Sequence, residues 1–509
     1  MNRTVFALVA ILFLLSVSSV TGLIQTVKAE SAPIFVNADG SISPSTAPIY
    51  SADNITYTLT GNIAANADGI LIERNNTVLN GAGYTVTGSG SQSGITLYNM
   101  GNVTVTNIRI ANFTYGIFLD SSSGNTLSGN TVTNNSEGIQ LQSSSNNALS
   151  GNNVTNNGDG IWLDSSLGNA FSDNTVVNNE YGIWLSNSSS CTLSGNNVTT
   201  SSYNGIELIS DSDNNIVSDN GVTANGNYGI YLESCSNCTL SGDNVTANNE
   251  NGIDFYASSN NILYGNSVTN NSWGIALVFF SDNNTLSGNN VANNYDGIVL
   301  LSSSNNTSSD NNIANNANGI TLQTSSNNNV LSGNNVTANS NYGIRFDYSS
   351  NCTLSSNDVT TNSVDGIYLD SSSNNTIYQN DFTNNTSQVY SSNSTNVWDN
   401  GSVGNYWSDY LTKYPNATQL DSSGVWNTPY VIDANNTDYY PLTVPIVVVP
   451  EFPSFLILPL FMIATLLTVI IYKKKGVHAR VCNCMHVIDN SQRQRKRGSF
   501  IQASNSIRM

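Results

Sequence analysis

A Gly-Ile pair recurs through most of this chain at intervals of 22 to 25 residues. A repeat of this length is typical of a solenoid, in which each unit buries its apolar face only against the units beside it. After the last pair, Gln388-Val389 keeps the same spacing without the glycine. The pairs begin at Gly69, Gly94, Gly116, Gly138, Gly160, Gly182, Gly205, Gly229, Gly252, Gly274, Gly297, Gly319, Gly343 and Gly366.

The residues between the pairs decide which solenoid forms. A leucine-rich repeat needs a denser leucine pattern, and the calcium-binding rolls need a G-G-x-G-x-D motif that is absent. In the unit that starts at Gly116, two-residue alternation points Ile117 and Leu119 inward, followed by Leu127 and then Val132. Asn, Ser and Gly fill the corners, where they tolerate left-handed backbone angles. The sequence therefore predicts an all-β parallel β-helix with three short strands per turn.

About four aliphatic side chains per turn make a thin core, so polar groups must contribute to its stability. Asparagines recur at one corner of each turn, as in Asn125, Asn147 and Asn169. Stacked amides of this kind can hydrogen-bond to one another from turn to turn. We therefore expect ladders of asparagine along the helix, and about fifteen turns at ~4.8 Å each give a rod of roughly 65–70 Å.

The two ends of the chain differ from the repeats. An apolar run followed by the small-residue sequence around Ala29 is typical of a secretory signal peptide. Residues 455–472 are uncharged, long enough to span a bilayer, and followed by three lysines, which predicts a transmembrane helix with a cytoplasmic C terminus. The predicted segments are a signal peptide (1–29), an N-terminal cap (30–60), the repeats (61–390), a C-terminal cap module (391–445), a stalk (446–454), the transmembrane helix (455–472) and a basic tail (473–509).

The segment between the signal peptide and the membrane span is strongly acidic. From residue 30 to residue 450, four basic residues accompany 32 acidic ones. A surface of this charge repels nucleic acids and other polyanions. Neutral sugars and cations remain as possible partners. Together with the two chain ends, this charge predicts a single-pass cell-membrane protein whose β-helix is extracellular. In that position we expect it to contact neighbouring envelope proteins.

The opening "YTLTGNI…GILIERNNTVLNGAGYTV", the body "SSSNNTLSGNNV" and the close "GNYWSDY…NTPYVIDANNTDYYPL" resemble the NosD-type right-handed parallel β-helix proteins. This fold class is shared by carbohydrate-binding proteins and sugar hydrolases. The run "PEFPSFLILPLFMI" before the lysines resembles C-terminal anchoring segments of archaeal surface proteins. The family name implies copper delivery, but residues 30–450 contain no His and only one Met, Met100, so a copper role is not expected.

Side chains on the outer side of the Gly-Ile strands are candidates for ligand binding. Aromatic rings beside carboxylates and amides suit a sugar polymer, because rings offer an apolar platform and oxygens accept hydrogen bonds from hydroxyl groups. The candidate ligand-binding residues are Tyr115, Phe118, Asp120, Asp159, Trp162, Asp164, Tyr181, Trp184 and Tyr231. The competing interpretation is that these aromatic residues simply favour strands and stack on one another.

Three function classes remain open at this stage. A non-catalytic surface protein that binds glycans or mediates adhesion is the sharper hypothesis, and an inert structural rod of the cell envelope is the plainer one. A polysaccharide-cleaving enzyme is the alternative, with the carboxylates of Asp120, Asp159 and Asp164 as its weak catalytic candidates. Sequons that would make the protein a glycoprotein include Asn153, Asn197, Asn244 and Asn335.

Cysteine and metal chemistry give weaker signals. The ectodomain cysteines Cys191, Cys238 and Cys352 each occur in "CTL", where other repeats have a small residue, which indicates inward turn positions. Cys235 and Cys238 form a lone C-x-x-C that an oxidising compartment could convert to a disulfide. No cofactor is expected, although the carboxylate oxygens of Asp211 and Asp213 could bind Ca²⁺. The string "CNCMH" in the tail is a weak metal-like motif.

Overall fold

The repeats fold into three parallel sheets that wind around one core. The computed structural model describes residues 28–30 and 33–446. Each turn contributes first to sheet B, then to sheet C, then to sheet A, as in Tyr115–Asp120, Thr126–Ser128 and Thr131–Thr133. The chain then enters the next sheet-B strand, Glu137–Gln142, which pairs in parallel with Tyr115–Asp120. This order confirms the parallel β-helix with three strands per turn.

The strands are short because a corner interrupts the chain after every three to six residues. The strands of sheet A are Lys28–Glu30, Ile63–Ala65, Thr85–Thr87, Arg109–Ala111, Thr131–Thr133, Asn153–Thr155, Thr175–Val177, Asn197–Thr199, Gly221–Thr223, Asn244–Thr246, Ser267–Thr269, Asn290–Ala292, Asn312–Ala314, Asn335–Thr337, Asp358–Thr360, Asp381–Thr383 and Tyr406–Trp407. Those of sheet B are Ile34–Val36, Ile42–Ser43, Ile70–Ile72, Ser93–Tyr98, Tyr115–Asp120, Glu137–Gln142, Asp159–Asp164, Tyr181–Ser186, Ile206–Ile209, Ile230–Glu233, Ile253–Tyr256, Trp273–Val278, Asp296–Leu301, Asn318–Gln323, Ile344–Asp347, Asp365–Asp370 and Ser387–Ser392. Those of sheet C are Ile49–Tyr50, Thr56–Leu59, Val78–Asn80, Thr104–Thr106, Thr126–Ser128, Ala148–Ser150, Ala170–Ser172, Thr192–Ser194, Ile216–Ser218, Thr239–Ser241, Ile262–Tyr264, Thr285–Ser287, Thr307–Ser309, Val330–Ser332, Thr353–Ser355 and Thr376–Tyr378.

The core is the narrow column of aliphatic side chains predicted from the repeat. Ile117, Leu119, Leu127 and Val132 are all fully buried. The register stacks like on like, so that Ile117 lies beside Ile139 in the next turn. Because sheet B contributes two core side chains to each turn and sheets C and A one each, the apolar content of a turn stays low.

Asparagine ladders run beside this core, as predicted. Asn125 donates from Nδ2 to Oδ1 of Asn147 at 3.0 Å, and Asn147 donates in the same way to Asn169 at 3.1 Å. Two further asparagine columns, begun by Asn130 and Asn135, repeat the arrangement at the other two corners. A turn therefore contains three inward asparagines, and the amides supply the polar pairing that a thin core requires.

The N-terminal residues extend the solenoid by one turn. Ile34–Val36 pairs in parallel with Ile70–Ile72, and Ile42–Ser43 then folds back antiparallel to it. In sheet C, Ile49–Tyr50 pairs antiparallel with Thr56–Leu59, which itself lies parallel to the next turn. The residues before the first regular repeat thus form one turn of the β-helix and the antiparallel strands that close its N-terminal end.

The C-terminal residues close the opposite end. Trp398 and Trp407 are fully buried against the last turn. A short helix, Tyr410–Lys413, follows, and an antiparallel hairpin is formed by Tyr430–Asp433 and Asn436–Asp438. No helix within residues 33–446 has the length and hydropathy needed to cross a membrane. The predicted stalk, transmembrane helix and tail, and almost all of the predicted signal peptide, lie outside the described residues.

Candidate functional site

The outer side of sheet B, here called the sheet-B face, presents three residues from each six-residue strand. In Tyr115–Asp120, the side chains of Ile117 and Leu119 enter the core, whereas Tyr115, Phe118 and Asp120 remain half-buried on the outside. Gly116 and Ile117 are both buried, so the inward–outward alternation of side chains is shifted by one residue after Tyr115. The next outward side chain is that of Phe118, which lies beside Tyr115. The rings of Tyr115 and Phe118 accordingly stack at 5.0 Å between centroids.

All nine candidate ligand-binding residues lie on the sheet-B face. The strand register sets Trp162 directly beside Trp184 in the next turn, with Gln140 on the other side of Trp162. Tyr231 lies two turns beyond Trp184, after Glu207. The half-buried residues on this face are Tyr115, Phe118, Asp120, Asp159, Trp162, Asp164, Tyr181, Trp184 and Tyr231.

The aromatic side chains stack along the helix instead of forming a flat platform. Trp162 and Trp184 stack at 5.3 Å and 15°, and Tyr181 stacks on Trp184 at 5.3 Å. Tyr203, which the sequence analysis did not single out, continues the stack from Tyr181 at 5.0 Å. Because turns follow one another at ~4.8 Å, rings in adjacent turns cover much of each other's faces. What a ligand meets is therefore mainly ring edges, and the indole N–H groups of Trp162 and Trp184 lie beneath them.

The carboxylates pair differently from the sequence expectation. Asp159 and Asp164 occupy opposite ends of one six-residue strand, about 16 Å apart, which exceeds the separation of paired carboxylates in glycosidases. Asp120 lies at the same strand end as Asp164 but two turns away from it, so it is farther still from Asp159. Asp120 and Asp164 instead accept hydrogen bonds from Ser121 and Ser165. This spacing does not suit a catalytic pair of Asp159 with Asp164 or Asp120, and a catalytic role for these three residues stays a prediction.

Glu137 is a carboxylate in the turn next to Asp159 and was not among the residues predicted for the site. The two residues are register partners in adjacent turns. Burial, reinforced by the charge of Asp159, raises the pKa of Glu137 to about 7. Burial, with the charge of Glu180, raises the pKa of Asp159 to about 6. The repeat spacing places both residues immediately before a Gly-Ile pair, and that signal was available in the sequence.

Four polar atoms of this cluster are buried without a hydrogen-bond partner: Glu137 Oε2, Gln140 Oε1, Trp162 Nε1 and Trp184 Nε1. Gln140 is only 5% exposed, so its unpaired oxygen is a costly feature for a structural residue. Two of the atoms are acceptors and two are donors. A cation would pair only with the oxygens, whereas a hydroxyl group can donate and accept, so the set fits a polyol.

An open groove of about 620 Å³ borders the aromatic stack. It follows the corner between sheet A and sheet B, and Tyr203, the end of the stack, forms one of its walls. The other lining residues are Asn156, Asn157, Gly158, Asn178, Asn179, Glu180 and Ser202. A ligand seated on the stack therefore has room for further polar contacts at its side.

The cysteines do not provide a copper site. Cys191, Cys238 and Cys352 occupy asparagine-ladder positions, and the Cys191 thiol donates to the Ser166 carbonyl. Cys235 and Cys238 are both free thiols with no exposed surface, and burial raises the pKa of Cys238 to about 11. Copper binds thiolates, which these positions disfavour.

Other ligand types are equally missing from the described part of the chain. Within residues 33–446 no group of three or more His, Cys, Asp or Glu side chains is arranged to hold a metal ion. Both histidines and the "CNCMH" string fall outside the described residues. The described residues therefore do not fit a copper centre, and Ca²⁺ binding stays a prediction.

Comparison with known proteins identifies a family. A family model described as "Periplasmic copper-binding protein (NosD)" matches three overlapping segments, residues 19–196, 158–294 and 277–412. None of the curated proteins matches the chain.

Several solved structures are similar in fold. The Dettilon tailspike protein gp208 is 18% identical with a TM-score of 0.38, over 56% of this chain and 62% of the tailspike chain, which is less than two thirds of its length. The periplasmic alginate epimerase AlgG is 14% identical with a TM-score of 0.34, over 69% of this chain and 80% of its own. The catalytic domain of a GH87 alpha-1,3-glucanase is 14% identical with a TM-score of 0.35, over 62% and 64%. Similarity at this level leaves the function to the residues of this chain.

Proposed function

The chain belongs to the NosD family and is a right-handed parallel β-helix protein, and from that premise we propose that it binds a neutral polysaccharide on its sheet-B face. The observation that carries the proposal is the set of four unpartnered buried polar atoms on Glu137, Gln140, Trp162 and Trp184. Sugar hydroxyl groups would satisfy both the acceptors and the donors. Ring edges of the stacked aromatic residues supply the apolar contact that sugar C–H groups favour.

The charge of the protein favours a neutral ligand over an acidic one. Glu137, Asp159, Glu180 and Glu207 surround the aromatic stack, and no basic residue occurs in the chain between Arg109 and Arg345. A polyuronate would be repelled by these carboxylates and would find no cation to neutralise it. Neutral hydroxyl groups pay no such electrostatic penalty.

The proposed setting is the cell surface. The signal-peptide pattern, the uncharged run at 455–472 and the lysines after it support an exported β-helix that is anchored to the membrane by its C terminus. In that position the sheet-B face would meet glycans of the envelope or of other cells. The proposed activity is binding and adhesion without catalysis.

Affinity electrophoresis of the purified full chain tests the binding proposal. The gels would contain mixed-linkage β-glucan, galactomannan or dextran, with polygalacturonate as the charged comparison. We expect retardation on at least one neutral polymer and none on polygalacturonate. The Trp162→Ala/Trp184→Ala variant should lose the retardation, because it removes both indole donors and the centre of the stack.

The matched control removes aromatic side chains from another sheet. Tyr264→Ala/Tyr378→Ala changes two outward residues of sheet C and should leave the retardation unchanged. Circular dichroism would verify that every variant remains folded. Migration unaffected by any polymer would contradict the proposal and leave a structural rod of the envelope as the better account.

One observation favours a second function, glycoside hydrolysis. Glu137 and Asp159 are adjacent, and their raised pKa values are those of a proton donor and a carboxylate near neutral pH. Register partners in adjacent turns are ~4.8 Å apart, a spacing that suits a retaining reaction. The Asp159 carboxylate would bond to the anomeric carbon as the glycosidic C–O bond breaks and the Glu137 proton goes to the leaving oxygen. Water would then cleave the glycosyl ester and return a proton to Glu137. Release of reducing ends from the retarding polymer, abolished by Glu137→Gln, would support catalysis. Binding without release would leave the non-catalytic role.

A further inference from the structure

Arg345 gives the sheet-B face a second cluster, far from the first. Its strand register sets Arg345 between Thr321 and Tyr368. The guanidinium lies 5.7 Å from the centre of the Tyr342 ring and 5.8 Å from that of Tyr368, within the range of cation–π contacts. Its Nη2 also pairs with Asp347 at 2.6 Å. The two rings contact each other at 4.8 Å between centroids, so the guanidinium lies beside the ring pair and is held there by Asp347.

Three polar atoms in this cluster are buried without a partner: Arg345 Nε, Asn318 Oδ1 and Thr321 Oγ1. Asn318 is 4% exposed and Thr321 is fully buried. The amide of Asn318 is oriented by donation from its Nδ2 to Asp296, which leaves Oδ1 free. Asn318 and Thr321 are residues one and four of their strand, the positions whose side chains touch in Tyr115 and Phe118. One donor, one acceptor and one hydroxyl group therefore converge.

We propose that the Arg345 cluster is a second sugar subsite and that a single neutral polysaccharide, lying along the helix axis, binds both clusters. The inference rests on the proposed function, since it concerns the same ligand on the same face. Seven turns separate Trp184 from Arg345, which corresponds to about 34 Å. A short oligosaccharide cannot span that distance, so the ligand class is an extended polymer.

The charges in the second cluster also favour a neutral sugar. Asp347 already neutralises the guanidinium, and Asp296 is held beside Asn318. Asp370 is the register partner of Asp347 in the next turn. A carboxylate on the ligand would add a fifth charge to one cation and three anions, whereas a hydroxyl group can accept from Arg345 Nε and donate to Asn318 Oδ1 without one.

Aromatic residues, some half-buried and some exposed, cover part of the surface between the two clusters. Tyr228 stacks on Tyr231 at 5.0 Å, and Tyr256 contacts Phe279 at 5.5 Å. Phe280, beside Phe279, is 73% exposed, and both phenylalanines adopt positive φ angles, 48° and 66°. Bulky residues rarely occupy this region, and a strained, exposed aromatic residue is typical of a contact surface. A chain leaving the tryptophan cluster would follow these rings towards Arg345.

The test compares ligand lengths on the full chain. Affinities are measured by calorimetry for the retarding polymer and for a trisaccharide cut from it. Linked subsites add affinity only for a ligand that reaches both. Arg345→Gln and Tyr368→Ala should each weaken binding of the polymer at least ~10-fold and leave the trisaccharide affinity unchanged, because the trisaccharide is held at the tryptophan cluster. Arg109→Ala, which removes an exposed cation from sheet A, is the matched control and should change neither affinity.

The outcomes separate this inference from the proposed function. If Trp162→Ala/Trp184→Ala abolishes binding but the Arg345 and Tyr368 variants bind polymer normally, the second subsite is wrong and the proposed function stands. Equal affinities of the wild-type protein for the trisaccharide and the polymer would overturn the inference that one extended polymer binds both clusters. If the tryptophan variant binds every ligand as the wild-type protein does, the proposed function itself fails. Arg345→Gln keeps a polar amide at this position and removes the charge and the guanidinium. A loss of polymer binding in this variant is therefore less open to explanation by misfolding.

Discussion

At the scale of single residues, the asparagine ladders satisfy the hydrogen-bonding groups that are buried beside the core of the β-helix. Asn152 accepts hydrogen bonds on Oδ1 from both the backbone N–H and Nδ2 of Asn130. Its own Nδ2 donates to the Leu127 carbonyl and to Asn174 Oδ1. Every polar atom of the amide is therefore used inside the core, and the neighbouring turn depends on it.

Asn152→Ala should accordingly destabilise the protein strongly. It leaves the Asn130 donors without their acceptor and removes the amide that donates to the Leu127 carbonyl, and each buried unsatisfied group costs ~1–3 kcal/mol. We expect a loss of at least ~2 kcal/mol in the free energy of unfolding, measured by urea titration. Asn153→Ala, an exposed asparagine on the outer side of sheet A, is the control and should change that free energy by less than ~0.5 kcal/mol. Similar losses for both variants would contradict the role of the ladder.

Asp243 occupies a ladder position and makes stability depend on pH. Its Oδ1 accepts from Asn220, but its Oδ2, where an amide nitrogen would donate, is buried without a partner. Burial raises the pKa of this carboxyl from 3.8 to about 7. A raised pKa in the folded state gives stability that is present below pH ~4 and is lost as the pH rises through about 7.

Asp243→Asn should remove this dependence, because the amide restores the missing donor at every pH. We expect the variant to be more stable than the wild-type protein by roughly 1–3 kcal/mol at pH 8 and nearly equal to it at pH 4. Thermal unfolding across this pH range measures the difference. A constant difference at all pH values would show that Asp243 does not titrate as inferred.

At the scale of the strand, the glycine of each Gly-Ile pair is required by close packing between turns. A Cβ added to Gly160 would lie 2.5 Å from the carbonyl oxygen of Gly182 and 2.8 Å from Val176. The carbonyl belongs to the backbone of the next turn and cannot move aside without opening the sheet. Corner glycines differ, since Gly151 has a φ of +60° and open space around its Cβ position.

The two kinds of glycine should respond oppositely to substitution. Gly160→Ala should abolish cooperative folding or lower the free energy of unfolding by more than ~3 kcal/mol, since the clash is with backbone. Gly151→Asn should be nearly neutral, because asparagine accepts left-handed angles and occupies many of the other corners. Both are measured by the midpoint of thermal unfolding. A stable Gly160→Ala variant would contradict the steric role.

At the scale of the whole molecule, the C-terminal hairpin ends the ladders as well as the core. Asn436 accepts from the Asn396 N–H and from Trp398 Nε1, in the position of the next asparagine of the first ladder. Asp438 ends the second ladder by accepting from the Asn405 N–H and from Trp407 Nε1. The first two ladders therefore end on side chains of the hairpin, and the last three-residue strand of sheet A is covered by Tyr406–Trp407.

Asp438→Ala should open this end of the rod. It removes the acceptor for the Asn405, Trp407 and Tyr440 donors, which are satisfied by one carboxylate. We expect a lower unfolding midpoint, faster proteolysis of the segment after Trp398, and concentration-dependent association through the uncovered strands. Limited proteolysis and light scattering report both effects. Asp421→Ala, at an exposed turn, is the control and should behave like the wild-type protein.

The residues that could be predicted are those whose role repeats. The inward positions of Ile117, Leu119, Leu127 and Val132 and the ladder from Asn125 follow from the period, since every turn faces the same neighbours. The partners of the candidate site could not be predicted in this way. Glu137 was missed because a carboxylate gains its raised pKa from burial beside Asp159, and burial on an outer face depends on the side chains of three successive turns.

The sequence by itself determined the parallel β-helix, its three strands per turn, the inward core and the face on which the aromatic residues lie. It determined these because a 22–25-residue period predicts a solenoid, and the alternating apolar residues and polar corners within each unit select the turn of three strands. Only the tertiary structure decided that the rings stack edge-outward along the axis, that Asp159 and Glu137 are buried enough to raise their pKa values, and that Arg345 lies beside the contacting rings of Tyr342 and Tyr368. Each of these contacts joins residues about 22 positions or more apart, or depends on the rotation of side chains within a turn, and both are fixed only when the turns are wound together.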